Sequence, residues 1–159
     1  MSDTHGRLSN ASLASLADCD RIIHAGDIGS PAILRSLEAM APVTAVLGNN
    51  DFDEYGSAVQ RIARPVIGGV RFLVGHYPRD VRITWNGSPA LSPCDPIPHI
   101  CVHGHTHVPT IVAGKEARPA EYIVCPGSVT VPRGGSHPSV AKVTITDGRI
   151  AKVIIEKIG

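Results

Sequence analysis

Residues 21–51, RIIHAGDIGSPAILRSLEAMAPVTAVLGNND, combine two strand patterns with one helix pattern. The apolar run 21–27 ends in Gly-Asp and is typical of a buried strand. Residues 29–42 predict a helix, because Ser30 is a good N-cap and a proline follows at the first helical position. Residues 43–51 predict a second strand that ends in a Gly-Asn turn. Strands joined through a helix by short connections are typical of a parallel α/β unit.

The flanking segments predict a fold that is helical first and then rich in strands. A short helix is expected at 9–17, hairpins at 64–76 and 139–158, and strands at 97–104 and 121–128. Between them, residues 77–100 hold five prolines and show no periodicity, so an irregular surface segment is expected there.

Composition restricts the class of protein. The chain of 159 residues predicts a single domain, 1–159, with a substantial core. Its net charge of +1 comes from scattered basic residues, which gives no strong signal for nucleic acid as a partner. No apolar run approaches the roughly 18 residues of a membrane span, and no leader pattern opens the chain. The four cysteines form no CxxC pair, which favours reduced thiols and a cytoplasmic location.

Polar side chains directly follow the apolar runs, usually beside a glycine. These residues are Asp3, His5, Asp27, Asn49, Asn50, Asp51, His76, His105 and His107. In open α/β sheets, ligands bind at the carboxyl ends of the strands. The sequence therefore predicts that five segments bring these side chains to one edge of a sheet.

The stretch VHGHTHVP at 102–109 places three of the eight histidines at alternate positions. On an extended backbone, His103, His105 and His107 would point the same way. This local pattern fits either a polar stripe on an exposed strand or the wall of a metal site.

The set of polar residues has the chemistry of a metal centre. Two aspartates, one amide oxygen and four imidazoles make two four-ligand sites if one aspartate bridges them. Mixed nitrogen and oxygen ligands suit Mn, with Zn, Fe, Ni or Co as alternatives, better than Ca or Mg alone. The lack of thiolate ligands favours a catalytic site over a closed structural zinc site.

The ordered motifs Asp-x-His, Gly-Asp, Gly-Asn-x-Asp, Gly-His and Gly-His-Thr-His resemble those of the calcineurin-like metallophosphoesterases. The chain is most similar to their small bacterial and archaeal phosphodiesterase branch. The resemblance covers nearly the whole chain, including PGS at 126–128 and PRGG at 132–135. It implies an α/β fold, the four-layer α-β-β-α sandwich. The HxHxDH motif of metallo-β-lactamase-like hydrolases does not fit, because Val108 follows the last histidine.

The resemblance also implies a ligand set and a reaction. One metal would take Asp3, His5, Asp27 and His107, and the other would take Asp27, Asn49, His76 and His105. Of these residues, Asp27, Asn49 and His76 are the expected catalytic ones. Two divalent metal ions, with Mn expected first, would generate a bridging hydroxide that attacks a small phosphodiester or phosphomonoester substrate.

Further residues are expected to support the site or to contact the phosphate. They are Arg7, His24, Asn50, Asp51 and His103, and Arg133 is a weaker candidate. His24 would lie in the core or orient Asp27, whereas His103 would be a neighbour and not a ligand. Asp51 would fix the turn that begins at Gly48 or support Asn49.

Three features depart from the family pattern. Only Met1 and Ser2 precede Asp3, so the usual first strand is missing or the true start lies upstream. A missing strand would leave Asp3 and His5 on a fraying terminus.

The second departure is Asn50, which stands where many family members carry a histidine thought to help the leaving group depart. The third is segment 77–100, which replaces a helix and offers Arg79, Arg82 and Trp85 as substrate contacts. The first two departures, at the amino terminus and at Asn50, keep a second hypothesis open, a protein-binding scaffold on the same fold, as in the retromer subunit that resembles this family.

Overall fold

The computed structural model describes residues 1–84 and 86–159 and shows a mixed α/β fold. Its helices are α1 (Asn10–Leu16) and α2 (Pro31–Glu38). Its strands are β1 (Ile22–His24), β2 (Val43–Ala45), β3 (Ile62–Ala63), β4 (Val66–Ile67), β5 (Val70–Gly75), β6 (Ile100–Val102), β7 (Thr110–Ala113), β8 (Tyr122–Cys125), β9 (Ser139–Thr146) and β10 (Arg149–Lys157). The predicted helices and the predicted hairpins at 64–76 and 139–158 are confirmed.

The first sheet pairs β1 with β2 in parallel, and the amino terminus extends it. The Met1 amino group donates to the Ile23 carbonyl at 2.8 Å, and the Ala25 N–H donates to the Met1 carbonyl at 2.9 Å. The Asp3 N–H donates to the Gly26 carbonyl at 2.9 Å. Met1 and the next three residues are all buried. In the folded chain, Asp3 is therefore held beside β1 by backbone hydrogen bonds and does not lie on an unpaired terminus.

The second sheet has the strand order β3-β5-β6-β8-β7, and β4 also pairs with β5. Its centre is parallel, since β6 runs parallel to both β5 and β8, while β3, β4 and β7 pair antiparallel at the edges. Strands β9 and β10 form a separate antiparallel hairpin. The parallel centre makes the strands that precede the candidate ligands end on the same side.

Alternation along the strands separates three layers of core. In β1, Ile22 packs with the residues of the helices, whereas Ile23 packs between the sheets. In β5, Phe72 packs between the sheets and Leu73 packs on the opposite face. The order of layers is thus helices, first sheet with the β9–β10 hairpin, second sheet, and an outer cover.

That outer cover is formed by the proline-rich segment, whose described residues, 77–84 and 86–100, contain no α-helix. Val81 and Ile83 pack with Leu73 and Cys101 on the outer face of the second sheet. A short 3-10 turn at Pro78–Val81 begins the segment. Segment 77–100 therefore completes the sandwich, and its deletion would expose apolar core as well as alter access to the site. Within the described residues, no helix has the length and apolarity needed to cross a lipid bilayer.

Candidate metal centre

The candidate ligands share an unusual backbone conformation. Among the residues that the structure describes, six that are not glycine have positive φ, and five of these are candidate ligands: Asp3, His5, Asp27, His105 and His107, with φ between 45° and 65°. The sixth, Asp147, lies in the β9–β10 turn. The left-handed region costs an ordinary residue roughly 1–2 kcal/mol, so it persists where the surroundings enforce it. Here it accompanies sharp turns of the chain at residues whose side chains form two neighbouring ligand groups.

The first ligand group contains Asp3, His5, Asp27 and His107, with ligand atoms all within 4.8 Å of one another. His107 Nε2 lies 3.0 Å from Asp3 Oδ1 and 3.5 Å from His5 Nε2. His5 Nε2 lies 3.9 Å from Asp27 Oδ2. The structure thus brings together the four residues expected to hold one metal.

A second ligand group surrounds the amide oxygen of Asn49. Asn49 Oδ1 lies 3.1 Å from His76 Nε2 and 2.9 Å from His105 Nδ1. His76 Nε2 also lies 3.6 Å from Asp27 Oδ1. The two oxygens of Asp27 therefore face different groups, Oδ2 the first and Oδ1 the second.

The hydrogen-bond chemistry of the two groups fits bound cations. His107 Nδ1 lies 2.6 Å from the Val131 carbonyl, and His76 Nδ1 lies 2.8 Å from the Ala25 carbonyl. Because a carbonyl only accepts, Nδ1 of each ring carries a hydrogen, which leaves Nε2 as the nitrogen that would bind a metal.

Candidate ligand atoms therefore face one another in both groups. Asp3 Oδ1, at 3.0 Å from His107 Nε2, is buried without a hydrogen-bond partner in the described residues. Burial raises the pKa of Asp3, which means that the bare carboxylate is poorly stabilised. A divalent cation between such groups would satisfy both acceptors, so the residues present fit a metal centre.

Asp51 connects the two loops that carry Asp27 and Asn49 through hydrogen bonds. Its carboxylate accepts from the N–H groups of Ile28, Gly29 and Gly48 at 2.8–3.0 Å and from the Tyr55 hydroxyl at 3.0 Å. Burial alone would raise the pKa of Asp51, but these donors outweigh it and hold the pKa below its usual value. Asp51 thus fixes the Gly48 turn, as the sequence predicts, and also reaches the loop after β1.

Gly48 must be a glycine for this arrangement. A Cβ at this position would overlap both the backbone nitrogen and the carboxylate of Asp27. The close approach of the two loops is what allows Asp27 to lie beside Asn49.

Asn50 contacts the shared carboxylate directly. Its Nδ2 donates to Asp27 Oδ2 at 2.6 Å, and its backbone N–H donates to Asp27 Oδ1 at 2.9 Å. Asn50 therefore orients the Asp27 carboxylate through two hydrogen bonds.

A profile of the calcineurin-like phosphoesterase superfamily domain matches residues 1–148. This chain belongs to that superfamily. This chain is 34% identical over 165 residues to a probable metallophosphoesterase of Methanothermobacter thermautotrophicus. The match covers 98% of this chain and 89% of the relative.

Several solved structures share the fold of this chain although their sequences are less than 25% identical to it. An archaeal phosphodiesterase gives a TM-score of 0.72 at 19% identity, covering 98% of this chain and 97% of that one. Yfce, a phosphoesterase from E. coli, gives 0.62 at 23% identity, covering 96% and 95%. Vps29 of Entamoeba histolytica complexed with Zn²⁺ gives 0.62 at 19% identity, covering 94% and 88%.

Two further histidines, His24 and His103, are buried beside the segments that carry the candidate ligands. His24 is fully buried, which lowers its pKa to about 3, and its Nε2 lies 2.9 Å from Thr4 Oγ1. His24 therefore lies in the core, the first of its two expected roles, and its Nε2 partner is Thr4, between Asp3 and His5, and not Asp27. His103 is buried, and its Nδ1 lies 3.0 Å from the Gly104 carbonyl.

The alternating histidines at 103–107 do not lie on a strand, because β6 ends at Val102. His105 and His107 instead lie on a turn, and this turn lets them reach different ligand groups.

The arginines predicted near the phosphate lie in different places. The Arg7 side chain is exposed, and Arg133 lies beside His105. Arg82 lines a separate cavity of about 470 Å³ with Cys101 and Arg118, on the outer side of the second sheet. The expectation that Arg82 contacts substrate at this site is therefore wrong, and Trp85 lies outside the described residues.

Sequence reasoning missed the loop that supports Asp3. Ser128 Oγ and Thr130 Oγ1 donate to the Asp3 carbonyl at 2.8 and 3.0 Å, and the carbonyl of Val131 orients His107. The PGS motif at 126–128 was a usable signal, although nothing local shows which carbonyl its serine reaches.

Proposed function

We propose that this chain is a metal-dependent phosphodiesterase with a dinuclear metal centre, with phosphomonoesters as a second substrate class. The observation that carries the proposal is the Asp27 carboxylate, whose two oxygens face two different ligand groups. One group is made by Asp3, His5 and His107, and the other by Asn49, His76 and His105. The likeness to an archaeal phosphodiesterase supports diesters as the preferred class.

Each part of the site has a defined task in this proposal. Two divalent ions, with Mn expected first and Zn, Fe, Ni or Co as alternatives, would hold the phosphoryl oxygens and lower the pKa of a bridging water, which supplies the hydroxide nucleophile. Asp27 would be the ligand that the two ions share. The carbonyls of Ala25 and Val131 keep His76 and His107 in the tautomer that presents Nε2.

Metal stoichiometry tests the two-site arrangement. After chelator treatment and equilibrium dialysis against Mn²⁺, we expect two ions per chain. His5→Ala and His105→Ala should each reduce this to about one, since each variant removes a ligand from only one group. His137→Ala, at an exposed histidine, should keep two. A single ion in the unaltered chain, or the same loss in all three variants, would contradict the proposal.

The asparagine at position 50 predicts that the rate of hydrolysis depends strongly on the pKa of the leaving group. An amide has no proton to give near neutral pH, and this one is already bonded to Asp27. We therefore expect aryl phosphodiesters to be cleaved at least about a hundredfold faster than alkyl diesters. Rates across a series of diesters with different leaving-group pKa values measure this, and a flat series would count against it.

The alternative function is a protein-binding scaffold on the same fold. The likeness to Vps29 favours it, as does the asparagine at position 50. The complete set of seven candidate metal ligands argues against the scaffold, because a surface that only binds a partner protein does not need these side chains to converge. Metal-loaded, folded protein that cleaves neither diesters nor monoesters would favour the scaffold.

A further inference from the structure

One side of the metal centre carries an aromatic and cationic stack next to His105. The Tyr77 ring centroid lies 4.5 Å from that of His105, and the Arg79 guanidinium lies 4.5 Å from the Tyr77 ring centroid. Tyr77 directly follows the candidate ligand His76, so its backbone is fixed by the end of β5. The Tyr77 ring, which lies beside His105, also packs against the Arg79 guanidinium.

A second guanidinium borders the same histidine from the loop that follows the PGS motif. Arg133 Nη1 lies 3.5 Å from the His105 carbonyl oxygen. Its position is set by the backbone, because the Arg133 N–H donates to the His107 carbonyl at 3.2 Å and the Ser136 hydroxyl donates to the Arg133 carbonyl at 2.7 Å. Arg133 is therefore held at the site although its side chain is exposed.

These two cations are only weakly neutralised. Arg79 Nε lies 3.7 Å from Asp80 Oδ1, and the Arg79 side chain is 77% exposed. An ion pair this exposed contributes little. Arg133 forms no salt bridge to any residue that the structure describes. Planar guanidinium groups bind phosphate through paired N–H donors, which makes this rim suited to an anion.

We propose that Tyr77, Arg79 and Arg133 form a subsite for a second phosphate group carried by the substrate, beside the phosphate that is cleaved. The inference rests on the proposed function and narrows it to phosphodiesters that bear a further phosphate. Arg79 and Arg133 bind the second phosphate, and Tyr77 positions Arg79. The reaction would involve only the cleaved phosphate, so the second phosphate adds affinity without changing the reaction.

A matched pair of substrates tests the subsite. Thymidine 3′-(p-nitrophenyl phosphate) and its 5′-phosphorylated form share the same scissile bond and leaving group. We expect about a tenfold higher kcat/KM for the phosphorylated form, mainly through KM. Arg79→Gln and Arg133→Gln should each lower that ratio about threefold or more. Tyr77→Phe should preserve it and Tyr77→Ala should lower it. Arg149→Gln, at an exposed arginine of the hairpin, should leave the ratio unchanged.

Binding measurements distinguish an error in the subsite proposal from an error in the proposed function. Calorimetry on Mn²⁺-treated protein compares thymidine 3′,5′-bisphosphate with thymidine 3′-phosphate and needs no turnover. Tighter binding of the bisphosphate that is lost in Arg79→Gln and Arg133→Gln supports the subsite even if neither ester is cleaved. Equal affinities, or equal kcat/KM values in an active enzyme, would overturn the subsite while leaving the phosphodiesterase proposal intact.

Discussion

Asp27→Asn is expected to lower hydrolysis of bis-p-nitrophenyl phosphate by about a thousandfold or more, the largest effect of any single substitution in the chain. The change keeps the shape of the side chain but removes its negative charge. It also turns one oxygen that faces a ligand group into an N–H donor. Because Oδ1 and Oδ2 face different groups, both metal sites lose a ligand or gain a repulsive contact.

The control for this variant separates catalysis from folding. Asp20→Asn, at an exposed carboxylate, should retain full activity. Thermal melts without metal should show that Asp27→Asn remains folded, since burying an amide is less costly than burying an unpaired charge. Retention of more than about a tenth of the activity in folded Asp27→Asn would show that Asp27 does not link two metals.

Asp51→Asn is expected to lower the free energy of unfolding by about 2–4 kcal/mol and to reduce activity with it. The amide retains one acceptor but directs an NH₂ group at the backbone donors of Ile28, Gly29 and Gly48. These donors join the loops that carry Asp27 and Asn49, so their loss displaces ligands from both groups. Urea unfolding measures the change, and Asp53→Asn, at an exposed site in the same loop, is the matched control.

The same carboxylate predicts a pH dependence. The pKa of Asp51 is held below its ordinary value in the folded chain. Its contribution to stability is therefore complete above the ordinary carboxyl pKa of about 3.9 and is lost as the pH falls through the lower, folded value. The stability difference between the original chain and Asp51→Asn should shrink as the solution is acidified through this range. A difference that stays constant down to pH 2 would contradict the hydrogen-bond arrangement.

Elements with local signals were predictable from the sequence. Helix α2 begins as expected, with the Ser30 side chain accepting from Ala32 N–H and Pro31 in the first turn. The Asp147-Gly148 turn connects β9 and β10 as expected. Both depend on residues adjacent in the chain, so sequence spacing suffices to predict them.

Elements that depend on distant partners were missed. Strand β7 is mostly exposed and has no alternating pattern, because it forms by pairing with β8, with Thr110 opposite Cys125. The pairing of Met1 with β1 was missed for the same reason. In the site, the sequence indicated which residues converge, but not that Asn50 bonds to Asp27 or that His24 contacts Thr4. Those contacts join residues more than 15 positions apart, and no local rule specifies them.

The most direct test of the central claim is hydrolysis of bis-p-nitrophenyl phosphate by chelator-stripped protein as Mn²⁺ is added. We expect negligible activity without metal, recovery that saturates at two ions per chain, and none in Asp27→Asn. Folded protein that stays inactive at saturating Mn²⁺, Zn²⁺, Fe²⁺, Ni²⁺ and Co²⁺, or activity that does not depend on metal, would contradict a dinuclear phosphodiesterase.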